Sequence, residues 1–462
     1  MKANIEHTDK KRVVIVGGGL GGLELAFKLV GSDFQVVLVD KNNYHQFPPL
    51  IYQVASAGLE PSSISFPFRR LFQGQKDFFF RMAEVKAVDA AGKKIATSVG
   101  DIHYDYLVLA AGARTNFFGN KEIEAATLPM KSVSEAMRLR NTILRNLEKA
   151  ETEEDPVRRQ ALMNIVVVGG GASGVEIAGA VAEMKKNILT RDYPDLDASQ
   201  MHIYLVNAGK RLLAAMDPVS SARAERDLKE LHVHIRQPQF ATEYKDGILK
   251  TSAGLEIPAR TVIWVSGICA NTIEGLPAES LGHAGRILTD RFCRVKGVQD
   301  VFAIGDQSLI EGDEDYPLGH PQLAQVAMQQ AKTVAENLKA AQKGLAEKPF
   351  KYRNLGVMAT IGRNHAVAEI GGRKFGGFAA WVLWLVVHLR SILGVKNKAF
   401  ILLNWVWNYL NYKQSLRLIL KAKGEQDAVP DDRRAGRRPD RQKAGSLPTA
   451  DPSLPLPLSG KE

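Results

Sequence analysis

Glycine residues with the spacing G-x-G-x-x-G occur twice in the chain. They are Gly17, Gly19 and Gly22 in the first copy and Gly169, Gly171 and Gly174 in the second. The first glycine of such a set permits a tight turn, the second lets the backbone approach a pyrophosphate, and the third allows close packing of strand against helix. The helix that begins there offers free N–H groups and a partial positive charge to phosphate groups. The spacing therefore predicts two dinucleotide-binding turns.

The residue that ends the second strand differs between the two copies. The segment FQVVLVD ends in Asp40, 18 residues beyond Gly22, where a carboxylate can accept both ribose hydroxyl groups of an adenine dinucleotide. The corresponding segment of the second copy has Asn207 at this place. Asparagine can bond a ribose hydroxyl but does not repel a 2′-phosphate, so the choice between NADH and NADPH stays open. Lys210 and Arg211 follow closely, either as partners of that phosphate or as residues of a solvated loop.

A glutamate lies on the first turn of each glycine-rich helix. Glu24 follows Gly22 by two residues, and Glu176 follows Gly174 by two. The helix dipole stabilises a carboxylate there even if it does no chemistry. The pattern leaves both a catalytic and a structural role open for Glu176.

The two copies indicate the architecture that positions these residues. Each has an apolar β-branched run, the glycines, and then apolar residues at helical spacing, and Gly17 and Gly169 are 152 residues apart. That offset is too long for a solenoid repeat, so two Rossmann-like units are expected. A length of 462 residues fits two to four domains, because single cores stop growing near about 250–300 residues.

The composition excludes several classes of protein. With 45% hydrophobic and 24% charged residues it is that of a globular protein, not of collagen, a coiled coil or a wholly disordered chain. Two cysteines, Cys269 and Cys293, exclude a disulfide framework and a cysteine-rich zinc module. The ten histidines have no metal-ligand spacing, so no metal site is predicted. The polar first dozen residues predict no signal peptide.

Further segments, together with the glycine motifs, resemble the two-dinucleotide-binding-domain flavoproteins. Within them the chain is similar to the type II, non-proton-pumping NADH dehydrogenases, from about Lys11 to about Leu420. The segments that carry the resemblance are NNYHQFPPLIYQVASAGLEP (42–61), YDYLVLAAGART (104–115), DVFAIGDQS (300–308), HPQLAQVAMQQA (320–331) and GVMATIGRNHAVAEIGG (356–372).

The resemblance implies FAD on the first repeat, NADH or NADPH on the second, and a quinone as electron acceptor. It assigns Ala111 and Gly112 to the strand end where the chain crosses between domains. It assigns Asp306 to the flavin ribityl chain and pyrophosphate, and Glu176 to proton transfer near the flavin–nicotinamide junction.

The resemblance also places Gln325 and Gln329, an AQ-x-x-x-Q element, beside the flavin and the quinone. Residues four apart share one face of a helix, and neutral amides can bond a quinone carbonyl. Without the resemblance the two would be interpreted as ordinary glutamines of a surface helix.

Related enzymes with cysteine chemistry are disfavoured. Disulfide reductases of this superfamily need a close redox pair, whereas Cys269 and Cys293 are 24 residues apart. Sulfide:quinone oxidoreductases use three cysteines, and the chain has two. Both residues are interpreted as small buried hydrophobes. A flavin-nucleotide redox sensor or scaffold stays open as an alternative function.

The C-terminal part combines apolar helices with positive charge. FAAWVLWLVVHL (378–389) and AFILLNWVWNYLNYKQSLRLIL (399–420) are too short or too interrupted for a comfortable membrane span. In the second, a polar stripe is formed by Asn404, Asn408, Asn411 and Ser415. Residues 370–424 include nine basic residues and no acidic one, which accounts for most of the net charge of +11. The pattern favours helices that lie in an anionic membrane surface over a buried hairpin or an oligomer interface.

We therefore predict an α/β protein with a discontinuous flavin domain. Its parts are residues 11–118 and 285–355, with a nicotinamide domain at 119–284, a membrane-anchoring module at 356–420 and a disordered tail at 421–462. The predicted reaction is two-electron reduction of a membrane quinone by NADH through FAD, without proton pumping. The predicted partners are lipid and quinone at the cytoplasmic membrane face and a second copy in a homodimer, with no nucleic acid.

Overall fold

The computed structural model of the chain describes residues 3–6, 8–411 and 418–419. Within them the strands are β1 (Lys11–Val16), β2 (Phe34–Asp40), β3 (Tyr44–Gln46), β4 (Ser65–Pro67), β5 (Phe78–Met82), β6 (Val85–Asp89), β7 (Lys94–Thr97), β8 (Gly100–His103), β9 (Tyr106–Leu109), β10 (Ala113–Thr115), β11 (Leu128–Pro129), β12 (Ile165–Val168), β13 (Ile203–Val206), β14 (Val233–Arg236), β15 (Ala241–Lys245), β16 (Ile248–Thr251), β17 (Glu256–Pro258), β18 (Thr261–Trp264), β19 (Ile268–Ala270), β20 (Ile287–Thr289), β21 (Val301–Ala303), β22 (Ser308–Ile310), β23 (Val357–Gly362), β24 (His365–Ile370) and β25 (Arg373–Gly376). The α-helices are α1 (Leu20–Leu29), α2 (Ile51–Ala55), α3 (Phe68–Leu71), α4 (Lys121–Ala126), α5 (Val133–Thr152), α6 (Pro156–Met163), α7 (Ala172–Met184), α8 (Thr190–Asp192), α9 (Pro218–Glu230), α10 (Ala324–Gln342), α11 (Gly377–Ser391) and α12 (Val395–Asn411).

The first glycine motif belongs to a parallel sheet with the order β21-β9-β1-β2-β5. β1 and β2 are apolar, β-branched runs whose residues are almost all buried, as expected of parallel strands covered on both faces. α1 and α10 pack together on this sheet and share one core with it. Because β21 follows the second domain in the chain, the first domain is discontinuous, as predicted.

The second glycine motif belongs to another parallel sheet, with the order β11-β18-β12-β13-β14. α5 and α7 contribute to the core on one face, and the antiparallel sheet β15-β16-β17 covers the other. β10 and β19 pair antiparallel where the chain crosses between the two domains. The predicted fold class, α/β with two Rossmann-like domains, is confirmed.

The C-terminal module contains a sheet that the sequence analysis did not predict. Its strands β23, β24 and β25 are antiparallel, and β23 lies directly against α7. A Cβ atom on Gly179 of α7 would lie 1.6 Å from the carbonyl oxygen of Ile361, so glycine is required for this approach. The sheet therefore ties the C-terminal module to the second glycine-rich helix.

α11 and α12 each bury one side and expose the other. Trp384 of α11 and Ile401 of α12 are buried in the main core. The exposed large apolar residues of the two helices are Phe378, Val382, Val386, Val387, Phe400, Leu402, Leu403, Val406, Trp407 and Tyr409. We call these ten residues the apolar face. Of the predicted polar stripe, Ser415 lies outside the described residues. None of the described helices has both the length and the hydropathy of a membrane span.

Candidate active site

The first glycine motif forms the turn between β1 and α1. Gly17 has a φ of +101°, and a Cβ atom on it would lie 2.4 Å from the carbonyl oxygen of Ala110. A Cβ on Gly22 would lie 1.9 Å from the carbonyl oxygen of Gly17, so α1 packs directly on the turn. Gly19 caps α1, and no atom lies within 4 Å of the place its Cβ would take. Open space therefore adjoins the N-terminus of α1, as binding of a pyrophosphate requires.

Asp40 lies beside this turn at the end of β2. Its Oδ2 accepts a 2.7 Å hydrogen bond from the backbone N–H of Gly18, and its Oδ1 accepts one from Asn42. Burial raises the pKa of the Asp40 carboxyl, and these two N–H groups oppose that effect. The carboxylate is thus oriented at the edge of the space above α1, where the sequence predicts ribose binding.

The second glycine motif has the same geometry. Gly169 has a φ of +121°, and a Cβ atom on Gly174 would lie 1.7 Å from the carbonyl oxygen of Gly169. Gly171 caps α7 and has open space where its Cβ would lie. Asn207 accepts a 3.2 Å hydrogen bond from the N–H of Gly170 through Oδ1, so it takes the place that Asp40 has in the first repeat.

The side-chain amide of Asn207 is held by the loop that follows it. Its Nδ2 donates to the carbonyl oxygens of Gly209, at 2.9 Å, and Arg211, at 3.1 Å. The guanidinium of Arg211 in turn donates to the carbonyl oxygens of Ala214 and Met216. Of the two sequence interpretations of Arg211, these bonds favour a loop-forming role over phosphate binding.

The strand end at Ala111 and Gly112 is fixed by two amides that the sequence analysis missed. Gln307, which is fully buried, accepts the N–H of Ala111 at 2.6 Å and donates to the carbonyl oxygen of Asn271 at 2.6 Å. Asn271 donates its side-chain amide to the carbonyl oxygen of Ala111. Gly112 has a φ of +67° and open space where its Cβ would lie. The one sequence signal for Gln307 was its position next to Asp306, which the resemblance singled out.

Asp306 lies in a 3₁₀ turn after β21. Its Oδ2 lies 3.3 Å from Nζ of Lys131, and its backbone carbonyl accepts the side-chain amide of Gln322. A Cβ on Gly305, in the same turn, would lie 3.1 Å from Cβ of Ala327 in α10, and Ala327 also approaches Gly21 of α1. The turn and the first residues of α1 thus both approach Ala327, and contact of Asp306 with the flavin stays a prediction.

Gln325 and Gln329 both bind the backbone of residues 353–356. Gln325 accepts the N–H of Leu355 and donates to the carbonyl oxygen of Gly356, at 2.8 and 2.9 Å. Gln329 accepts the N–H of Arg353 and donates to its carbonyl oxygen, both at 2.9 Å. The two amides share one face of α10, as predicted, and hold the segment that leads into β23. Their contact with flavin and quinone stays a prediction.

Glu176 of α7 faces a cavity of about 150 Å³ between the two domains and the C-terminal module. The cavity lies against α2, α7, β23, α11 and α12 and is lined by Tyr52, Thr360, Trp384 and Trp405 among others. Protein covers most of the Glu176 carboxyl, and this desolvation raises its pKa to about 8, although the N–H of Thr360 binds the carboxylate. Glu176 is therefore protonated near neutral pH and can donate a proton to a molecule in the cavity.

A chain of hydrogen bonds connects this cavity wall to the C-terminal helices. The hydroxyl of Thr360 and the side-chain amide of Gln53 each lie 3.0 Å from the hydroxyl of Tyr52. The indole N–H of Trp405 donates to Gln53 at 3.0 Å. Tyr52, Gln53 and Thr360 lie in segments that the resemblance singled out, but the sequence assigned no role to them. α12 is thus attached to the wall that holds Glu176.

The two cysteines differ in burial, because Cys293 is buried as predicted whereas Cys269 is half-buried and is not the buried hydrophobe that was predicted. Both are free thiols, and Cys293 is fully buried, which raises its pKa well above the usual range. One cluster of possible metal ligands occurs among the described residues, formed by Asp227, Glu230 and His365. Arg223 and Arg226 lie 3.9 and 3.4 Å from the Asp227 carboxylate, so their charges oppose binding of a cation.

Sequence profiles of known families match most of the chain. The profile described as pyridine nucleotide-disulphide oxidoreductase matches residues 11–331. The profile described as NDH2 C-terminal domain matches residues 354–412. The first range contains both glycine motifs, and the second contains β23, α11 and α12.

Individual proteins are similar over nearly the same range. The type II NADH:quinone oxidoreductase Ndh of Mycobacterium tuberculosis is 35% identical over 420 residues, which cover 88% of this chain and 89% of that protein. The internal alternative NAD(P)H-ubiquinone oxidoreductase A1 of Arabidopsis mitochondria is 27% identical, with 88% and 86% covered.

Solved structures share the fold at lower identity. NDH2 from Plasmodium falciparum in complex with NADH matches with a TM-score of 0.79 at 19% identity, over 89% of this chain and 100% of that one. The sulfide:quinone oxidoreductase of Aquifex aeolicus has a TM-score of 0.64 at 17% identity, over 82% and 90% of the two chains.

Proposed function

Because the chain belongs to the type II NADH:quinone oxidoreductases, within the pyridine nucleotide-disulphide oxidoreductase family, we propose that it oxidises NADH and reduces a quinone by two electrons without pumping protons. The observation that carries the proposal is the position of Glu176. This protonated carboxyl lies on the second glycine-rich helix and faces a cavity that also adjoins the helices with the apolar face. The second dinucleotide-binding turn and a route by which an apolar substrate could enter are thus both adjacent to the carboxyl of Glu176.

FAD is the cofactor that the residues of the first repeat fit. The turn at Gly17 to Gly22 leaves room for a pyrophosphate, and Asp40 offers a carboxylate for ribose hydroxyl groups. Asp306 would approach the ribityl chain, with Lys131 as a neighbouring cation. When bound, FAD accepts a hydride from the nicotinamide and passes two electrons to the quinone. The chain itself orients the reactants and supplies a proton, and orientation alone can lower the barrier by several kcal/mol.

The nicotinamide donor would bind at the second repeat, with NADPH tolerated beside NADH. Asn207 carries no charge that repels a 2′-phosphate. We expect Asn207→Asp, which recreates the arrangement of Asp40, to lower kcat/KM for NADPH about tenfold or more while kcat/KM for NADH changes little. A like-charge contact that costs about 1.4 kcal/mol produces this factor.

Steady-state rates with each nucleotide measure that ratio, and Asp40→Asn provides the matched change in the first repeat. That control should weaken flavin binding and leave the NADPH/NADH ratio unchanged. Equal effects of Asn207→Asp on the two nucleotides would mean that Asn207 does not lie at the 2′ position.

The quinone would reach Glu176 through the cavity. Gln325 and Gln329 are placed to hold residues 353–356 at the start of the strand β23 that forms one wall. Contact of either amide with the quinone or the flavin is part of this proposal and is supported by the family resemblance.

Membrane binding would occur through the apolar face of α11 and α12. Exposed fractions of 59% for Val386, 65% for Leu403 and 61% for Trp407 are high for large apolar residues. The basic residues of 370–424 would add about 1 kcal/mol each near an anionic surface. We also propose that the protein lies at the cytoplasmic face of the membrane and forms a homodimer, on the basis of the family resemblance.

Steady-state kcat/KM for NADH and NADPH with two quinones tests the proposed function. Flavin-loaded protein should oxidise NADH continuously with a quinone and slowly without it. The alternative function, a redox sensor or scaffold, has no specific observation in its favour. It would be supported by nucleotide binding without quinone-dependent turnover.

A further inference from the structure

A second carboxyl group, Glu183, faces the same cavity as Glu176. The two residues are seven apart on α7, so they lie on one face of the helix with Ala180 between them. Asn187, one turn beyond Glu183, lines the cavity as well. Two acidic side chains in one half-open cavity between domains need an explanation, because a desolvated carboxylate is costly unless it is paired or protonated.

The groups around Glu183 leave its carboxyl partly exposed to the cavity and close to solvent. The backbone N–H of Arg363 donates to its Oε1. Burial raises the pKa of Glu183, while Arg363, His365 and Lys186 oppose this effect, and Tyr52 is the ionisable neighbour on α2. Lys186 is exposed and the His365 side chain is 38% exposed, so this end of the cavity lies near the surface.

Tyr52 is also a neighbour of Glu176, but no cation contributes to the pKa shift of Glu176. Its hydrogen-bond donor is the backbone N–H of Thr360, and it lines the cavity, which protein leaves open beside it. After it has donated a proton, the carboxylate is therefore reprotonated through the cavity. The only other acidic side chain that lines the cavity, among the residues described, is Glu183.

We propose that Glu183 is a proton-relay residue that passes protons from the surface, through water in the cavity, to the carboxylate of Glu176. Helix geometry separates the two residues by about 10 Å along the axis, which is too far for direct transfer. A cavity of about 150 Å³ has room for several water molecules, and its carboxyl, hydroxyl and amide groups provide the polar partners that water needs.

The proton relay rests on the quinone reduction proposed above, and its protons balance with those of that reaction. NADH, a quinone and one proton from solution yield NAD⁺ and the quinol. The O–H bond of Glu176 breaks as an O–H bond forms on the quinone oxygen. The O–H bond of Glu183 then breaks as that of Glu176 forms again, and Glu183 takes a proton from solvent. The relay moves protons only, so no further oxidant or reductant is needed.

The rates of the first and of later turnovers distinguish a relay role of Glu183 from a role as the final proton donor. In Glu183→Gln, protein reduced with NADH and mixed with a soluble quinone should form the first quinol at the wild-type rate, because Glu176 is already protonated. Later turnovers should be about tenfold slower or more. The defect should grow as the pH rises above the pKa of Glu176, about 8, because direct reprotonation becomes slower. Glu183→Asp keeps a carboxyl and should retain more of the rate.

An infrared pH titration of the holoenzyme provides a readout independent of turnover. The C=O stretch of protonated carboxyl groups should include one component that Glu183→Gln removes and another that Glu176→Gln removes. Both should titrate above the usual glutamate range. Glu230→Gln, an exposed change on α9, is the matched control and should alter neither the spectrum nor the turnovers.

Two results would overturn the relay. One is a Glu183→Gln enzyme with the wild-type steady-state rate at high pH. The other is equal slowing of the first and later turnovers, which would indicate a structural role. Failure of the wild-type protein to form any quinol would instead contradict the proposed function, so the two failures are distinguishable.

Discussion

Replacement of Glu176 by glutamine should slow quinone reduction about 10²–10⁴-fold, the usual contribution of a positioned general acid. Glutamine keeps the size and polarity of the side chain but has no acidic proton. Reduction of the protein by NADH should continue near the wild-type rate, because that step needs no proton from Glu176. Stopped-flow absorbance of the flavin follows the two half-reactions separately.

The pH dependence of the quinone step should identify the same group. Burial raises the pKa of Glu176 to about 8, and the protonated form is the active one. The rate of quinol formation should therefore be constant at lower pH and fall as the pH rises through about 8. In Glu176→Gln this decline should disappear along with most of the rate.

Glu24→Gln is the matched control, because Glu24 has the same position after the glycines of the first repeat. It is partly exposed and pairs with Lys28 at 3.7 Å, so its removal should have little effect on either half-reaction. A Glu176→Gln enzyme with normal quinone reduction would show that the proton comes from another group.

Acidic substitutions on the apolar face should release the protein from membranes. We expect Val386→Glu, Leu403→Glu and Trp407→Glu together to weaken binding to anionic vesicles more than a hundredfold. Burial of each large apolar side chain contributes about 1.5–3 kcal/mol, and the new charges also repel the surface. Vesicle sedimentation measures the loss. Turnover with a soluble quinone should persist, because the substitutions lie on the outer sides of α11 and α12.

The three substitutions test the apolar face more specifically than deletion of residues 373–462 would. Deletion would remove Trp384 and Ile401, which are buried in the main core, and would open the cavity at Glu176. The matched control carries the same three glutamates at exposed apolar positions elsewhere, Val157, Val219 and Leu345. If the face variant sediments with vesicles as the control does, the membrane-binding surface lies outside the apolar face.

The two glycine motifs and their strands were predictable because short-range sterics determine them. Only glycine tolerates the φ of Gly17 and Gly169 or the contact of less than 2 Å at Gly22 and Gly174, so the spacing alone indicates the turn. Asp40 was identified by its distance of 18 residues from Gly22 at the end of the second strand, and in the structure its carboxylate accepts the N–H of Gly18.

Properties that depend on distant packing were not predictable. Glu24 and Glu176 have the same local sequence position, yet α7 is covered by β23 and α2, so Glu176 faces the cavity whereas Glu24 pairs with Lys28. The strands β23 and β24 were not predicted, because each has three consecutive buried residues and so lacks the alternation of a half-buried strand. Glu183 acquires its significance from a cavity that also includes distant residues such as Tyr52 and Thr360, each more than 100 positions away in the chain.

The polar stripe of α12 illustrates the same limit. Helical spacing placed Asn404 on one face and Trp405 among the remaining apolar residues. In the structure Trp405 turns inward and donates to Gln53, while Leu403, Val406 and Trp407 are exposed. Periodicity identified an amphipathic helix, but which face contacts the protein depends on partners 350 residues away in the chain.

Double-mixing stopped flow on the flavin-loaded protein tests the central claim most directly. The protein is first mixed anaerobically with one equivalent of NADH and then with a soluble quinone, while flavin absorbance and quinol formation are recorded. We predict that the flavin absorbance is lost after the first mixing and returns after the second, with one quinol formed for each NADH. Flavin that is reduced by NADH but not reoxidised by any quinone would contradict the assignment.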